Sequence, residues 1–205
     1  MDTYLVFGGI LAYILPCLLA EAFARQWPSQ VLQPSPKHAP SVWSTVAVSV
    51  VNVFVLGPPF YLSALRQTTR SAAGSLPMQF VGCLLFLDVW FYVTHRLLHR
   101  PVLFRSIHRI HHVFVAPRAY AVAFSHPLEY LFHNVAGVIS LPFLLPIDDR
   151  LFTFWCVGCL VTATCSHSGL AILGARKHDL HHQKFNYNFG VLGIYDYMGG
   201  TYLVI

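Results

Sequence analysis

Two short stretches carry the residues best suited to chemistry. "SIHRIHHVF" (106–114) holds His108, His111 and His112, and "HDLHH" (178–182) repeats the arrangement with His178, His181 and His182. "HRLLH" adds His95 and His99, while His126 and His167 stand singly in "AFSHPLEY" and "SHSG". On a helix, positions i, i+3 and i+4 share a face, with β-carbons about 5–6 Å apart, so the imidazoles of each set can converge on one point. Neutral imidazole is a common transition-metal ligand. A tetrahedral metal ion takes about four ligands, so ten such histidines suit two ions better than one.

Acidic residues near these sets are candidates for orienting them. Asp88 precedes His95 by seven residues, two helical turns, and can accept the second ring N–H of a ligand. Asp179 and Asp196 are candidates for the same task. A histidine alone in an apolar run is ordinarily a hydrogen-bonded packing residue, which is the reading given to His133. His38, in a proline-rich connector, reads as a solvated loop residue.

The elements that must position these groups are apolar. Only 10% of the 205 residues are charged and 56% are hydrophobic, with a mean hydropathy of +0.56. A soluble domain is about a quarter charged, so the composition is that of an all-α integral membrane protein. The net charge of +5 does not gather into a basic, aromatic stripe, which excludes nucleic acid as the partner. Five cysteines (17, 83, 156, 159 and 165) all lie in apolar stretches and read as small buried hydrophobes.

Four to five membrane-associated helices are expected. "YLVFGGILAYILPCLLAEAFA" (4–24) is long enough to span, and lacks the basic start of a cleaved signal. A second run, 42–65, should kink or break at Gly57-Pro58-Pro59. The third is 76–95, and the fourth and fifth, 128–147 and 151–166, are joined only by "IDDR" as a helical hairpin. That hairpin returns His167 and the last histidine set to the face carrying the first two, as a histidine-rich helical cap. Arg25, Lys37, Arg96, Arg100, Arg105, Arg109, Arg118, Arg176, Lys177 and Lys184 fall on that face, against Arg66, Arg70 and Arg150 opposite. The bias makes the histidine face cytosolic. Residues 1–75 read as membrane helices and linker, and 76–205 as the catalytic domain.

"DVWFYVTHRLLHRPVLFRSIHRIHH", "AFSHPLEY", "SHSG" and "HDLHHQKFNYNFGVLGIYDYMGGT" resemble the fatty acid hydroxylase/sterol desaturase superfamily of membrane di-iron oxygenases, over about residues 80 to 201. Within it they are most similar to the 4-methyl sterol oxidase-like and sterol 5-desaturase-like members. The resemblance implies two irons held by His95, His99, His108, His111, His112, His126, His167, His178, His181 and His182, with dioxygen as co-substrate. It implies a sterol or acyl lipid substrate entering from the bilayer, in the endoplasmic reticulum membrane. No nicotinamide or flavin motif is present in the sequence, so electrons would come from a separate donor such as cytochrome b5 and its reductase. Acyl hydroxylases of the superfamily carry a further histidine four residues after the intermediate one; position 171 here is Ala.

Two other classes remain open at this point. A zinc hydrolase would want a glutamate base beside its ligands, as in H-E-x-x-H, and none of the histidine sets holds one. A non-catalytic lipid-binding relative would be expected to have lost ligands, and none of the eight grouped histidines is missing.

Overall fold

The computed structural model describes residues 3–34, 40–70 and 74–204, the first eight of these as backbone only. His38 and Lys37 lie outside the described residues. All regular elements among them are helical: α1 (Thr3–Gln26), α2 (Val42–Leu65), α3 (Leu76–Leu98), α4 (Pro101–Ser106), α5 (127–139), α6 (Asp149–Ser166), α7 (Arg176–Lys184) and α8 (Ile194–Met198). Two of them, α2 and α3, are long and apolar enough to cross a membrane.

The expected break in α2 takes another form. Val51–Leu56 is a π-helical turn, and the Gly57 N–H reaches back to the Asn52 carbonyl. Pro58 and Pro59 lack donors and crowd the carbonyls one turn earlier. Widening that turn absorbs the mismatch, and the helix continues to Leu65.

The fourth apolar run departs from expectation. It was expected as a helix to residue 147, but its helix ends at Ile139, followed by a 3-10 turn at Leu141–Phe143. Pro142 and Pro146 explain the stop, since proline restricts the residue before it and donates no hydrogen bond. At 1.5 Å per residue α5 is only about 20 Å long, short of the roughly 30 Å of a bilayer core. The connection to α6 is therefore longer than "IDDR", and Asp148 caps α6 by accepting from Arg150 N and Leu151 N at 3.0 and 3.2 Å.

Packing gives the bundle two ends. Tyr13, Cys17 and Ala20 of α1 pack with Val53 and residues 119–123. Ala64, Cys83, Leu87, Ile139, Phe152 and Trp155 form a second cluster between α2, α3, α5 and α6. At the N-terminal end of α3, Gln79 accepts from Asp148 N at 2.9 Å, and Thr69 N bonds the Ile147 carbonyl at 3.0 Å. His95 lies near the other end of the same helix, so 66–70 and 147–150 sit away from the histidines, as the hairpin argument requires. The outer sides of the helices are apolar too: Leu18, Trp43, Val55, Met78 and Phe154 are all exposed.

α5 crosses α3 at Gly137, where a β-carbon would come within 2.7 Å of Trp90 Cδ1 and 2.9 Å of Phe91 Cε2. The Trp90 indole is held there by its N–H bond to the His133 carbonyl, 3.2 Å. Ala normally favours a helix interior over Gly by about 0.8–1.0 kcal/mol. Gly137→Ala should reverse that sign and lower the thermal-unfolding midpoint, overpacking costing about 1–3 kcal/mol. Gly82→Ala on α3, whose new carbon meets nothing within 4 Å, should leave the midpoint unchanged or raised.

Candidate metal centre

Nine of the ten candidate histidines come together, in two groups. His95, His99, His108, His112 and His181 form one; His111, His167, His178 and His182 form the other; within each, the ligand nitrogens lie within 4.8 Å of one another. The groups adjoin, with the rings of His112 and His182 centred 4.6 Å apart. Convergence of each triplet on one point, expected from helical spacing, does not occur. His108 and His112 enter the first group while His111 enters the second; His178 and His182 enter the second while His181 enters the first. Each H-x-x-H-H set thus straddles both groups. The two sets also differ locally, since 108–113 is a 3-10 helix and 176–184 an α-helix.

His126 stands apart from both groups. Its half-buried ring caps α5, with Nδ1 accepting from Leu128 N at 3.1 Å. The expectation that it is a ligand finds no geometry here, because the capping bond turns the ring into the start of the helix.

The second ring nitrogens explain how the groups are oriented. His95 Nδ1 donates to the Phe189 carbonyl at 3.0 Å, His181 Nδ1 to that of Tyr187 at 2.7 Å, and His167 Nδ1 to that of Ala163 at 2.8 Å. His111 Nδ1 reaches the Phe124 carbonyl at 3.4 Å, and His108 Nδ1 is hydrogen-bonded to Glu129 Oε1 at 2.9 Å. A carbonyl can only accept, so the Nδ1 atoms of His95, His111, His167 and His181 carry the proton and their Nε2 atoms are bare. Yet Nε2 atoms face one another: His111 and His167 at 3.3 Å, both lone pairs. His95 Nε2, also bare, is buried with no partner. Opposed lone pairs at such distances repel unless a cation lies among them. The donor set therefore fits a metal ion in each group.

Burial keeps the imidazoles neutral. It lowers His99 and His111 from 6.5 to about 4 and His167 to about 3. His108, His112, His178, His181 and His182 are also pushed down, first by burial and then by neighbouring histidines, with the Tyr187 carbonyl opposing the shift at His181.

The expected carboxylates act less directly than sequence reading suggested. Asp88 touches no histidine. Its Oδ1 accepts from Leu192 N and Gly193 N at 2.7 and 3.1 Å, and Oδ2 from Ile194 N at 3.1 Å, a negative charge at the start of α8. Asp196 accepts from Phe189 N and Gly190 N at 2.8 and 2.7 Å. Between them the two aspartates fix the loop whose Phe189 carbonyl orients His95. Gly190 is required there, because a β-carbon would meet Asp88 Oδ1 at 2.6 Å. Asp179 bonds Gln33 and Gln183 at 3.0 and 2.9 Å, pointing away from both groups. The carboxylate that does hold a ligand is Glu129, which sequence reading had left as part of "HPLE". The only signal was its type, an acid at the start of an apolar run.

Both groups close one end of a cavity of about 980 Å³, which His95, His108, His111, His167 and His178 line. Its other walls are mainly apolar, including Val53, Phe54, Leu62, Phe91, Val138 and Leu160, with Asn134, Thr153, Lys177 and Asn188 among the polar lining residues. The walls come from α3, α5 and α6, and also from α1 and α2. Cys156 and Cys159 face it as free thiols.

Comparison with known proteins supplies the remaining context. The chain is 38% identical to human fatty acid hydroxylase domain-containing protein 2 over 56% of its length and 35% of that protein's. It is 33% identical to rat methylsterol monooxygenase 1 over 53% of the chain and 41% of the relative. It is 29% identical to the Delta(7)-sterol 5(6)-desaturase of Leptosphaeria maculans over 98% of the chain and 58% of the relative. The chain thus spans between about a third and three-fifths of these relatives' lengths. No solved structure gives a significant match. Residues 80–201, more than half of the chain, match the model of the fatty acid hydroxylase family, and the chain belongs to that family.

Proposed function

We propose that this protein is a membrane-embedded di-iron oxygenase that hydroxylates or desaturates a lipid, most simply a sterol, as in 4-methyl sterol oxidation. The observation that carries the reading is the pair of histidine groups, bare nitrogens inward, at the end of a large apolar cavity. The names of the rat and fungal relatives support the sterol branch.

His95, His99, His108, His112 and His181 would hold one iron, and His111, His167, His178 and His182 the other. An iron pair supplies the reduction of dioxygen and the oxidation of an unactivated C–H bond. The chain's own part is positional. The carbonyls of Phe124, Ala163, Tyr187 and Phe189 fix the tautomers of four imidazoles, and Glu129 anchors the ring of His108. The apolar walls exclude water and hold an apolar body with one carbon toward the histidines. Residues 76–205 contribute every grouped histidine, and 1–75 complete the cavity wall.

The apolar outer faces of α1, α2, α3 and α6 suit lipid contact. With the histidine end cytosolic, in the endoplasmic reticulum membrane, a soluble-domain electron donor such as cytochrome b5 with its reductase can reach it.

Three outcomes test the assignment. His111→Ala and His181→Ala remove one ligand from different groups, so each should lower iron per chain and reduce sterol-dependent oxygen consumption more than about a hundredfold, beyond the 10–100-fold typical of outer-shell changes. Full turnover in either variant would sink the di-iron reading. Asp88→Asn puts an amide against backbone donors; loop 189–195 should loosen, and activity and iron content should fall by about 10–100-fold without vanishing.

The third outcome concerns pH. Histidines at about 4 when folded and 6.5 when free bind fewer protons in the folded state across that interval. Their stability contribution is complete above 6.5 and drains away as pH falls toward 4. Thermal unfolding of the chelator-treated protein should therefore weaken steadily over this window, and a flat profile would contradict the burial argument.

A further inference from the structure

His133 is the sixth histidine lining the cavity and lies outside both groups. It is buried on α5, its ring centred 5.0 Å from that of His95 and 4.3 Å from that of Phe91. Its Nδ1 lies 2.7 Å from Thr94 Oγ1, and that hydroxyl is also 2.7 Å from the Trp90 carbonyl. The hydroxyl has one proton. If it is given to Trp90, as the carbonyl requires, the Thr94 oxygen is left to accept, and His133 Nδ1 must be the donor. Both contacts are then satisfied; the opposite tautomer forfeits one. His133 Nε2 is thereby fixed as a bare acceptor, and it has no hydrogen-bond partner among the described residues. The ring lines the cavity beside His95, in a wall stretch that includes Phe91, Val135 and Val138, with Asn134 as its polar neighbour.

We infer that His133 Nε2 accepts a hydrogen bond from a hydroxyl on the substrate, and so selects a lipid alcohol and sets which carbon faces the five-histidine group. An acceptor in an apolar wall recognises a donor and discriminates against an ether or ester of the same shape, because the unmet nitrogen stays desolvated. The proposal rests on the lipid-oxygenase reading and narrows it: the oxidised carbon lies near an alcohol carbon, within the reach of one imidazole from the metal ligands.

The test is equilibrium binding of tritiated lipids to the iron-loaded protein in bilayer discs, independent of turnover. Two probe pairs serve: a 4-methyl sterol with a free 3-hydroxyl against its methyl ether, and octadecanol against its methyl ether. At least one alcohol should bind about tenfold or more tightly than its ether. His133→Leu should bring that alcohol down to the level of the ether with iron content unchanged. His133→Gln, whose amide oxygen can accept, should restore part of the preference, which also guards against a misfolded Leu variant. Equal binding within both pairs, or a preference that survives in His133→Leu, overturns the inference. Loss of iron in His133→Leu overturns it as well, since His133 would then be a ligand. Oxidation without alcohol preference defeats this inference alone; preference without any oxidation defeats the oxygenase reading alone.

Discussion

Everything at the histidine end follows from one electrostatic constraint: unprotonated imidazole nitrogens cannot be held nose to nose without a cation among them. His111 and His167 meet at 3.3 Å through atoms that have no proton to share. Such an arrangement has to be enforced from outside, and five of the nine rings are held by their far nitrogens. The anchors come from five separate places: Glu129 and the carbonyls of Phe124, Ala163, Tyr187 and Phe189. Even the backbone gives way to this need. Phe185 and Asn188 adopt left-handed φ of 63° and 58° in the turn that brings the Tyr187 carbonyl under His181. Asn tolerates that region; Phe185 is strained, a state that costs on the order of 1–3 kcal/mol and persists only where surroundings over-determine it. Here the Phe185 ring sits 4.9 Å from that of His112.

The same logic explains the aspartates. A carboxylate touching a ligand directly would add charge to the group, whereas a carboxylate gripping a backbone loop adds only rigidity there. Asp88 and Asp196 do the second, through Leu192, Gly193, Phe189 and Gly190. The chemistry stays with the imidazoles, and the charges stay one layer out. Glu129 is the exception, a buried carboxyl in direct contact with His108.

Much of the site was legible in the sequence because ligand type and spacing survive folding. The histidine sets, their shared end and the all-helical architecture follow from residues such as His178, His181 and His182 and from the apolar runs between them. What was not legible depended on direction. Spacing says that His108, His111 and His112 are neighbours, but not that His111 enters the other group, as His181 also does from a regular α-helix. Nothing local distinguishes His126 from His167, since the difference lies in whether Nδ1 accepts from a backbone N–H, as in His126, or donates to a carbonyl, as in His167. Asp88 was found by its periodicity, yet periodicity cannot show that the atoms it meets belong to residues more than a hundred positions away. The helix expected to run to residue 147 failed for a more ordinary reason, because apolar character outlasts helix at Pro142 and Pro146.

The cavity depends on two irregularities that sequence patterns do not reveal. Both π-helical turns, Val51–Leu56 and Tyr130–Val135, lie on its wall. They meet where Gly57 faces Tyr130: a β-carbon there would crowd the Tyr130 hydroxyl at 3.1 Å. A π-turn adds a residue to the helical circuit and shifts every later side chain round the axis. In α5 that shift lies between Glu129, turned to His108, and the residues beyond Val135 that pack on Trp90. In α2 it frees Asn52 to bond the carbonyls of Ala123 and Ser125 at 2.8 and 3.1 Å, tying the apolar run to the segment just before His126. Regular helices at both places would present different side chains to the cavity and to the cap. The space beside the histidines is thus a product of the same two turns that attach the cap to the bundle.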